Sequence, residues 1–494
     1  MDWPEATAAP QTPTEKRRWF DPRGQVNFDP MVIIAFGLVI PLVLGTSATI
    51  FEDGDVSWHI ATGQWMLANA AVPYTDPFSF SAFGKPWVAH EWLSELIMGG
   101  AYELFGYAGI GLLTVVALSA LLLLVGLELR RWLDPLRVGL ILTALTVVLI
   151  PYLHARPMVL TWPLIAYWTL AMMRARDREQ APPWWLAFIM LLWVNLHASF
   201  ALGLLISAAF ALEALVAQAD KTRAFIAWGS FGLLCVAATL VNPNGYTSLL
   251  IPLGAFTSPN ITLIQEFKPT LMTASPGFEL ALLLLLGLCL WRGVRVPAVR
   301  VLIILGMLHL ALSHMRHQTL FMIVVPLLLA GPLARSGEER RSLRRALGFE
   351  DQPGRFVAGL VALPLVLSLL ALATTRAPVD SPVNATTAFA HIPAALRSQP
   401  VLNSYRFGGP LILRNIRPFI DGRTDVYGDP FVVNFQRLLN GDKAAFDRAQ
   451  AKWGFRWAII ARDDRKLMAL VANSAGWRPL YQDRRAVIFV REAS

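Results

Sequence analysis

The chain has 494 residues, 55% of them hydrophobic and only 16% charged, with many long apolar runs, a balance that places it among polytopic membrane proteins. The formal net charge of +9 would suit a nucleic-acid partner, but the cationic loops alternate with apolar spans in a topological pattern, so no nucleic acid is expected. The two cysteines, Cys235 and Cys289, both sit inside apolar runs, which rules out a disulfide framework or a cysteine-based zinc site.

The first thirty residues are polar and carry Lys16, Arg17, Arg18 and Arg23. No small-residue cleavage pattern follows, so residues 1–30 read as a cytoplasmic segment before an uncleaved first span. Apolar segments of spanning length fall near 31–50, 95–127, 138–153, 157–173, 184–200, 201–217, 224–241, 278–291, 298–314, 318–334 and 357–374, about eleven in all. Lys and Arg crowd the connections on the side of the amino terminus. The other side holds only Lys85, Arg156, Lys268 and Arg316 before the tail. That asymmetry puts the amino terminus inside and the carboxyl terminus outside. The resulting division is a transmembrane module over 31–374, with a first outer loop at 51–94, and an extracytoplasmic domain over 375–494.

The first loop opens on Glu52-Asp53-Gly54-Asp55, three carboxylates within four residues at the mouth of a span. Ionisable groups at such a boundary are functional candidates; the plainer reading is a solvated loop that ends the helix. Val56, Ile60, Gly63 and Leu67 then recur at helical spacing, which predicts an amphipathic helix lying in the membrane interface. Asp55 and His59 share a face of it, so His59 is expected to orient Asp55. Gly54 is expected to bend the backbone so that Asp53 and Asp55 turn toward one point. Two carboxylates that close need a cation, either a divalent metal (Mg or Mn) or Arg156. Farther on, Val72 to Phe80 reads as an ordered turn on the membrane surface, Lys85-Pro86-Trp87 follows, and His90-Glu91-Trp92 precedes Glu95 on the face of Glu91.

Arg156 occupies a short outer turn, where it either binds phosphate through its planar fork or snorkels to a lipid headgroup. Asn195-Leu196-His197 ends the fifth span, and His314-Met315-Arg316-His317 ends the ninth. None of the eight histidines falls in a predicted cytoplasmic segment, and with the arginines they sketch a polar cavity open to the outside. Leu249 to Phe256 is too short to span and reads as interfacial or re-entrant. In the tail, 400–402, 410–413, 457–461 and 486–490 read as strands, and 444–453 and 466–473 as helices, an α/β sandwich. Asp421-Gly422-Arg423-Thr424-Asp425 is either a structural turn, with Asp421 and Arg423 holding neighbouring strands, or a wall of an active-site cleft.

Cations beside carboxylates suit transfer from a lipid-linked phosphate. The leaving phosphate needs cationic stabilisation, and the acceptor hydroxyl needs a carboxylate base or a metal held by carboxylates. No G-x-x-x-x-G-K-[ST], H-E-x-x-H or nucleophile elbow is present.

The stretches Asp53-Gly54-Asp55-Val56-Ser57-Trp58-His59-Ile60, Asp76-Pro77-Phe78-Ser79-Phe80, His90-Glu91-Trp92-Leu93, Ala155-Arg156-Pro157, Trp193-Val194-Asn195-Leu196-His197 and Phe419 to Gly428 resemble an uncharacterised bacterial branch of the GT-C superfamily of membrane glycosyltransferases. The resemblance runs from the first loop to the tail. It implies a multi-pass enzyme of the bacterial inner membrane that uses a polyprenyl-phosphate sugar donor on the outer face, and a glycan, lipid or protein acceptor. It implies Asp53 and Asp55 as catalytic base or metal site, and a single displacement with inversion. Arg156, Arg316 and Lys85 would then hold the departing phosphate. His59, His90, Glu91, Asn195, His197, His314, His317, Glu266, Asp421 and Arg423 would make up the surrounding polar cavity, Glu266 being the loop candidate for a second acid. The competing readings are a transporter or scaffold for a lipid-linked or secreted polysaccharide, and a polysaccharide polymerase or ligase. The sequence contains no repeated halves of the kind transporters often show.

Overall fold

A computed structural model describes residues 49–133, 135–257, 268–334, 366, 369–370, 373–375 and 377–492. The predicted cytoplasmic segment 1–30, nearly all of the span at 31–50, most of the span at 357–374 and Glu266 lie outside the described residues.

Twelve helices precede the tail among the described residues. They are α1 (Gly54–Asn69), α2 (Trp92–Phe105), α3 (Tyr107–Trp132), α4 (Pro135–Leu149), α5 (Pro157–Asp177), α6 (Leu186–Leu196), α7 (Phe200–Ala217), α8 (Lys221–Thr239), α9 (Thr247–Thr257), α10 (Pro276–Arg292), α11 (Ala298–Ser313) and α12 (Gln318–Leu329). By length and composition α3, α7 and α8 are long and apolar enough to cross a membrane. Helix α5 runs through the packed centre, with Trp162, Ile165, Ala166, Trp168 and Met172 sealed from solvent. Helices α10 and α11 turn Leu283, Leu284, Leu290, Trp291, Leu302 and Leu305 outward, an apolar exterior suited to lipid.

The apolar stretch expected as one span from 95 to 127 is two helices. Gly106, at φ 58° and ψ −143°, breaks it. Glycine reaches that conformation without the Cβ clash another residue would meet, and hydropathy alone does not register the break. The short apolar run near 249–256 is helix α9.

Helix α1 buries nine of its sixteen residues, Val56, Ser57, Trp58, His59, Ile60, Ala61, Thr62, Gly63 and Met66. Its amphipathic pattern is satisfied largely by protein, since α2 covers one side and the tail another. The α1–α2 contact is made backbone to backbone: a Cβ on Gly63 would lie 1.9 Å from the Glu95 carbonyl oxygen, and one on Gly99 would lie 2.4 Å from the Gly63 carbonyl carbon. His59 is one turn before Gly63 and Glu95 one turn before Gly99, so this crossing brings those two side chains together.

The tail contains strands β1 (Val401–Asn403), β2 (Trp457–Ala461), β3 (Trp477–Gln482) and β4 (Ala486–Arg491) in the order β1-β2-β4-β3. β1 runs parallel to β2, with Val401 opposite Trp457; β4 runs antiparallel to β2 and β3. Helices α13 (Thr386–Ala390), α14 (Gly408–Ile412), α15 (Thr424–Tyr427), α16 (Asp429–Leu439), α17 (Lys443–Trp453) and α18 (Arg465–Ala472) accompany the sheet. Trp457, Ile459 and Ala461 of β2 face one apolar layer, and Ala458 and Ile460 the other, as the two-residue period of a strand requires. The run at 410–413, expected as a strand, lies largely in helix α14. Four apolar residues between turns do not distinguish a strand from one buried helical turn. β3 escapes the sequence pattern because it is a largely exposed edge strand interrupted at Pro479.

Trp58, Ala82, Trp87 and Ala89 of the first loop share one apolar cluster with Phe419, Val432, Phe435 and Phe489 of the tail. The first loop is therefore part of the tail's core.

Candidate active site

Asp53 caps the amino terminus of α1, accepting the Asp55 backbone N–H at 2.9 Å. This cap leaves both carboxylates on the same side, and Arg156, from the turn before α5, takes them together. Its Nε lies 2.9 Å from Asp53 Oδ2, and its Nη2 donates to Asp53 Oδ1 at 3.1 Å and to Asp55 Oδ2. Trp58 Nε1 donates to the other Asp55 oxygen at 3.0 Å. The convergence expected of Asp53 and Asp55 is present, and a guanidinium supplies the cation. Gly54 serves a different purpose from the expected bend: its Cα lies against the Arg406 carbonyl of the tail, where a Cβ would come within 2.5 Å.

His59 does not orient Asp55. It turns toward α2, where Nδ1 lies 3.1 Å from Glu95 Oε1 and Nε2 lies 3.7 Å from Glu91 Oε2. The Ser199 backbone N–H donates to His197 Nδ1 at 3.0 Å, which leaves His197 Nε2 to carry its proton toward Glu91 Oε1 at 3.2 Å. Burial, reinforced by Arg156, holds the His59 imidazole well below its ordinary pKa, hence neutral near pH 7. Burial also raises the Glu91 carboxyl.

Ligand atoms of His59, Glu91 and Glu95 lie within 4.8 Å of one another. Glu95 Oε2 is buried with no hydrogen-bond partner among the described residues. A neutral imidazole with two carboxylates, one oxygen left unsatisfied, fits a divalent cation. The Asp53 and Asp55 pair, expected from the sequence to hold the metal, fits less well, because the Arg156 guanidinium already spans both carboxylates and Trp58 Nε1 donates to the remaining Asp55 oxygen.

The tail closes the site. Arg423 is buried and joins both halves: Nη1 donates to Asp76 Oδ1 of the first loop at 2.7 Å, while Nη2 and Nε donate to Asp421 at 2.7 and 2.9 Å. Tyr427 adds a hydrogen bond to Asp421 Oδ2 at 2.6 Å, and the guanidinium stacks over Trp87 at 4.8 Å. Burial alone would depress the Arg423 pKa; Asp421 outweighs it and keeps the group cationic. Asp421 and Arg423 thus act as a structural turn, and what the pair anchors is the first loop. The same turn presses Gly422 onto Asp55, where a Cβ would come within 1.8 Å of Oδ1.

These elements line a cavity of about 180 Å³. That is below the ~300–1,000 Å³ of most small-molecule sites, and the cavity is open on one side. Asp55, His59, His90, Glu91, His197, Arg156, Arg316 and Arg423 line it, as the sequence grouped them. Asp53 stands behind Asp55 on Arg156. Asn195 is structural, accepting Trp92 Nε1 at 2.7 Å and so fixing the end of α6 to the start of α2. His314 and His317 flank Arg316, with ring centroids 5.3 Å apart, outside the lining. Lys85 is exposed on the first loop and also outside it.

Trp58, Glu95, Tyr405 and Asp425 line the cavity without having been grouped with it. The four-residue spacing of Glu91 and Glu95, and the charge density from Asp421 to Asp425, were the available signals. The Asp425 side chain opens to the cavity yet lies deep within the protein envelope, and that depth raises its carboxyl pKa.

No protein-family model and no curated protein matches the sequence. Among solved structures, the chain is similar to the archaeal oligosaccharyltransferase AglB from Archaeoglobus fulgidus, determined in complex with an inhibitory peptide and a dolichol-phosphate. The TM-score is 0.57 at 13% identity, over 90% of this chain and 71% of AglB. ArnT from Cupriavidus metallidurans in the apo state aligns over 93% of this chain and 97% of its own, with a TM-score of 0.48 at 13% identity.

Proposed function

We propose that this polytopic membrane protein, which has the GT-C fold its sequence resembles, transfers a sugar from a polyprenyl-phosphate donor to an acceptor hydroxyl at the outer face of the membrane. The observation that carries the reading is the cavity between bundle and tail, where Arg156 and Arg316 face a wall of carboxylates and imidazoles. A lipid phosphate set beside two guanidiniums receives charge-assisted hydrogen bonds that strengthen as the anomeric C–O bond breaks and negative charge gathers on the departing oxygen. Asp53 and Asp55 hold Arg156 at the cavity edge. The fold shared with AglB, itself determined with a dolichol-phosphate, also supports a lipid-phosphate partner. The acceptor would be a glycan, lipid or protein.

His59, Glu91 and Glu95 are the residues that would hold a divalent cation. When bound, such an ion would supply Lewis-acid stabilisation of phosphate charge. His197 would keep Glu91 oriented through its Nε2 proton, and the Gly63–Gly99 crossing would keep His59 beside Glu95.

The test is binding of undecaprenyl phosphate to the purified protein in nanodiscs, with Arg316→Ala beside the native chain. Binding that weakens on the order of tenfold in the variant, as loss of one charge-assisted contact of about 1.5 kcal/mol predicts, supports the reading. Equal affinity in both proteins removes Arg316 from the donor site; no binding to the native protein defeats the reading.

A further inference from the structure

Resting on the transfer reading above, we propose that Asp425, supplied by the tail, is the catalytic base that takes the proton from the acceptor hydroxyl. A base needs an oxygen that is open toward the substrate and not already committed to a donor. The first-loop acids do not meet that requirement. Asp55 Oδ2 receives Arg156, and its Oδ1 receives Trp58 Nε1 while Gly422 packs against it. Asp53 Oδ1 receives both the Asp55 N–H and Arg156, and its Oδ2 faces Arg156 Nε. Within the cavity, Glu95 is 1% exposed and turned to His59, and Glu91 faces His197 and His59.

Asp425 differs from all four. It lines the cavity, it is exposed, and among the described residues its carboxylate has no hydrogen-bond or ion-pair partner in another residue. His90 and Arg423 act on it only through space. The Asp421–Arg423 clamp lies two residues away and fixes the turn that carries it. The cavity therefore has a phosphate side at Arg156 and Arg316, contributed by the bundle, and an acceptor side at Asp425, contributed by the tail. In the step, the acceptor oxygen forms a bond to the anomeric carbon and the bond from that carbon to the phosphate oxygen breaks. Its electron pair leaves with the lipid phosphate, and the acceptor proton passes to Asp425.

Azide distinguishes a base from every other role, because it attacks carbon without needing deprotonation. The experiment uses the full chain in nanodiscs, a panel of undecaprenyl-phosphate-linked hexoses and pentoses as donors, and water or octyl glucoside as hydroxyl acceptor. Native protein, Asp425→Ala and Asp55→Ala are compared, with Asp425→Asn as a near-isosteric control for folding. The expected result is that Asp425→Ala and Asp425→Asn bind undecaprenyl phosphate as the native chain does. Their release of lipid phosphate falls roughly a hundredfold or more, the usual contribution of general-base catalysis. Azide then restores turnover in Asp425→Ala and yields the glycosyl azide. The assignment is overturned if Asp425→Ala turns over within about threefold of native, if it loses turnover that azide does not restore, or if azide rescues Asp55→Ala instead. A native protein that binds undecaprenyl phosphate but turns over no donor in the panel defeats the transfer reading itself, and the assignment falls with it.

Discussion

At the scale of single residues, the site depends on groups whose partners are far away in the chain. Arg423 is 2% exposed and lies between Asp76 and Asp421, both fully buried. Removing it strands two carboxylates out of water, so Arg423→Leu is expected to destabilise the protein by about 3–5 kcal/mol. Thermal unfolding in detergent measures this; a melting temperature equal to that of the native chain would show that water compensates the acids. Gly422→Ala tests a subtler contact. Its methyl group would occupy the place of Asp55 Oδ1, so the carboxylate must turn from Trp58. Because Asp55 helps hold Arg156 at the cavity edge, the outcome expected is weaker undecaprenyl-phosphate binding, read as a raised Kd; an unchanged Kd would show that Asp55 does not position Arg156 for the phosphate. The Asp53–Asp55 spacing and the position of Arg156 in a short turn were legible in the sequence because their chemistry is local. That one guanidinium holds both acids is one of the two cation choices the sequence offers. His59 could be placed on the face of Asp55 but not paired, since its partners come from α2.

At the scale of elements, α1 and α2 are a glycine-mediated pair. Gly63→Val would force the two backbones apart at the contact with Glu95. Overpacking of this kind typically costs ~1–3 kcal/mol, and here it would also separate His59 from Glu95. Manganese binding, followed by electron paramagnetic resonance of the free ion, should weaken on the order of tenfold, the lower end of the effect of disturbing a ligand's support. Unchanged manganese affinity would remove His59 and Glu95 from any cation site. Helix periodicity located α1 and placed Glu91 and Glu95 on one face. It assigned α1 to the lipid interface because a hydrophobic face records only that something apolar covers it. Similarly, the break at Gly106 and the edge strand β3 leave no trace in hydropathy, the first being a dihedral property and the second a solvated one.

At the scale of the whole molecule, the first loop and the tail form one unit over the bundle. Trp58 and Trp87 sit in the tail's apolar cluster, and Arg423 is neutralised partly by Asp76. A fragment of residues 377–494 would expose that cluster and leave Arg423 with half its partners. It is therefore expected to lack a cooperative thermal transition, whereas the whole chain shows one; a sharp transition with dispersed amide resonances in the fragment would show that the tail folds alone. Topology offers a separate check. The cationic asymmetry predicts that a reporter active only in the cytoplasm, fused after Ser494, stays dark, and a bright fusion would shift the span count by an odd number.

Composition and hydropathy were enough to indicate a polytopic membrane chain with an α/β tail, because burial in lipid and strand periodicity are written into consecutive residues. Residue types were enough to nominate the acids, arginines and histidines that gather at one end of the bundle. Only the tertiary structure decided that Arg156 holds both first-loop acids, that His59 belongs with Glu91 and Glu95, and that the tail brings Asp425 to the cavity. Those pairings join residues up to several hundred positions apart, through backbone contacts that glycines permit. Spacing along the chain carries no record of such contacts; they exist once helix α1, helix α2 and the Asp421–Asp425 turn pack against one another.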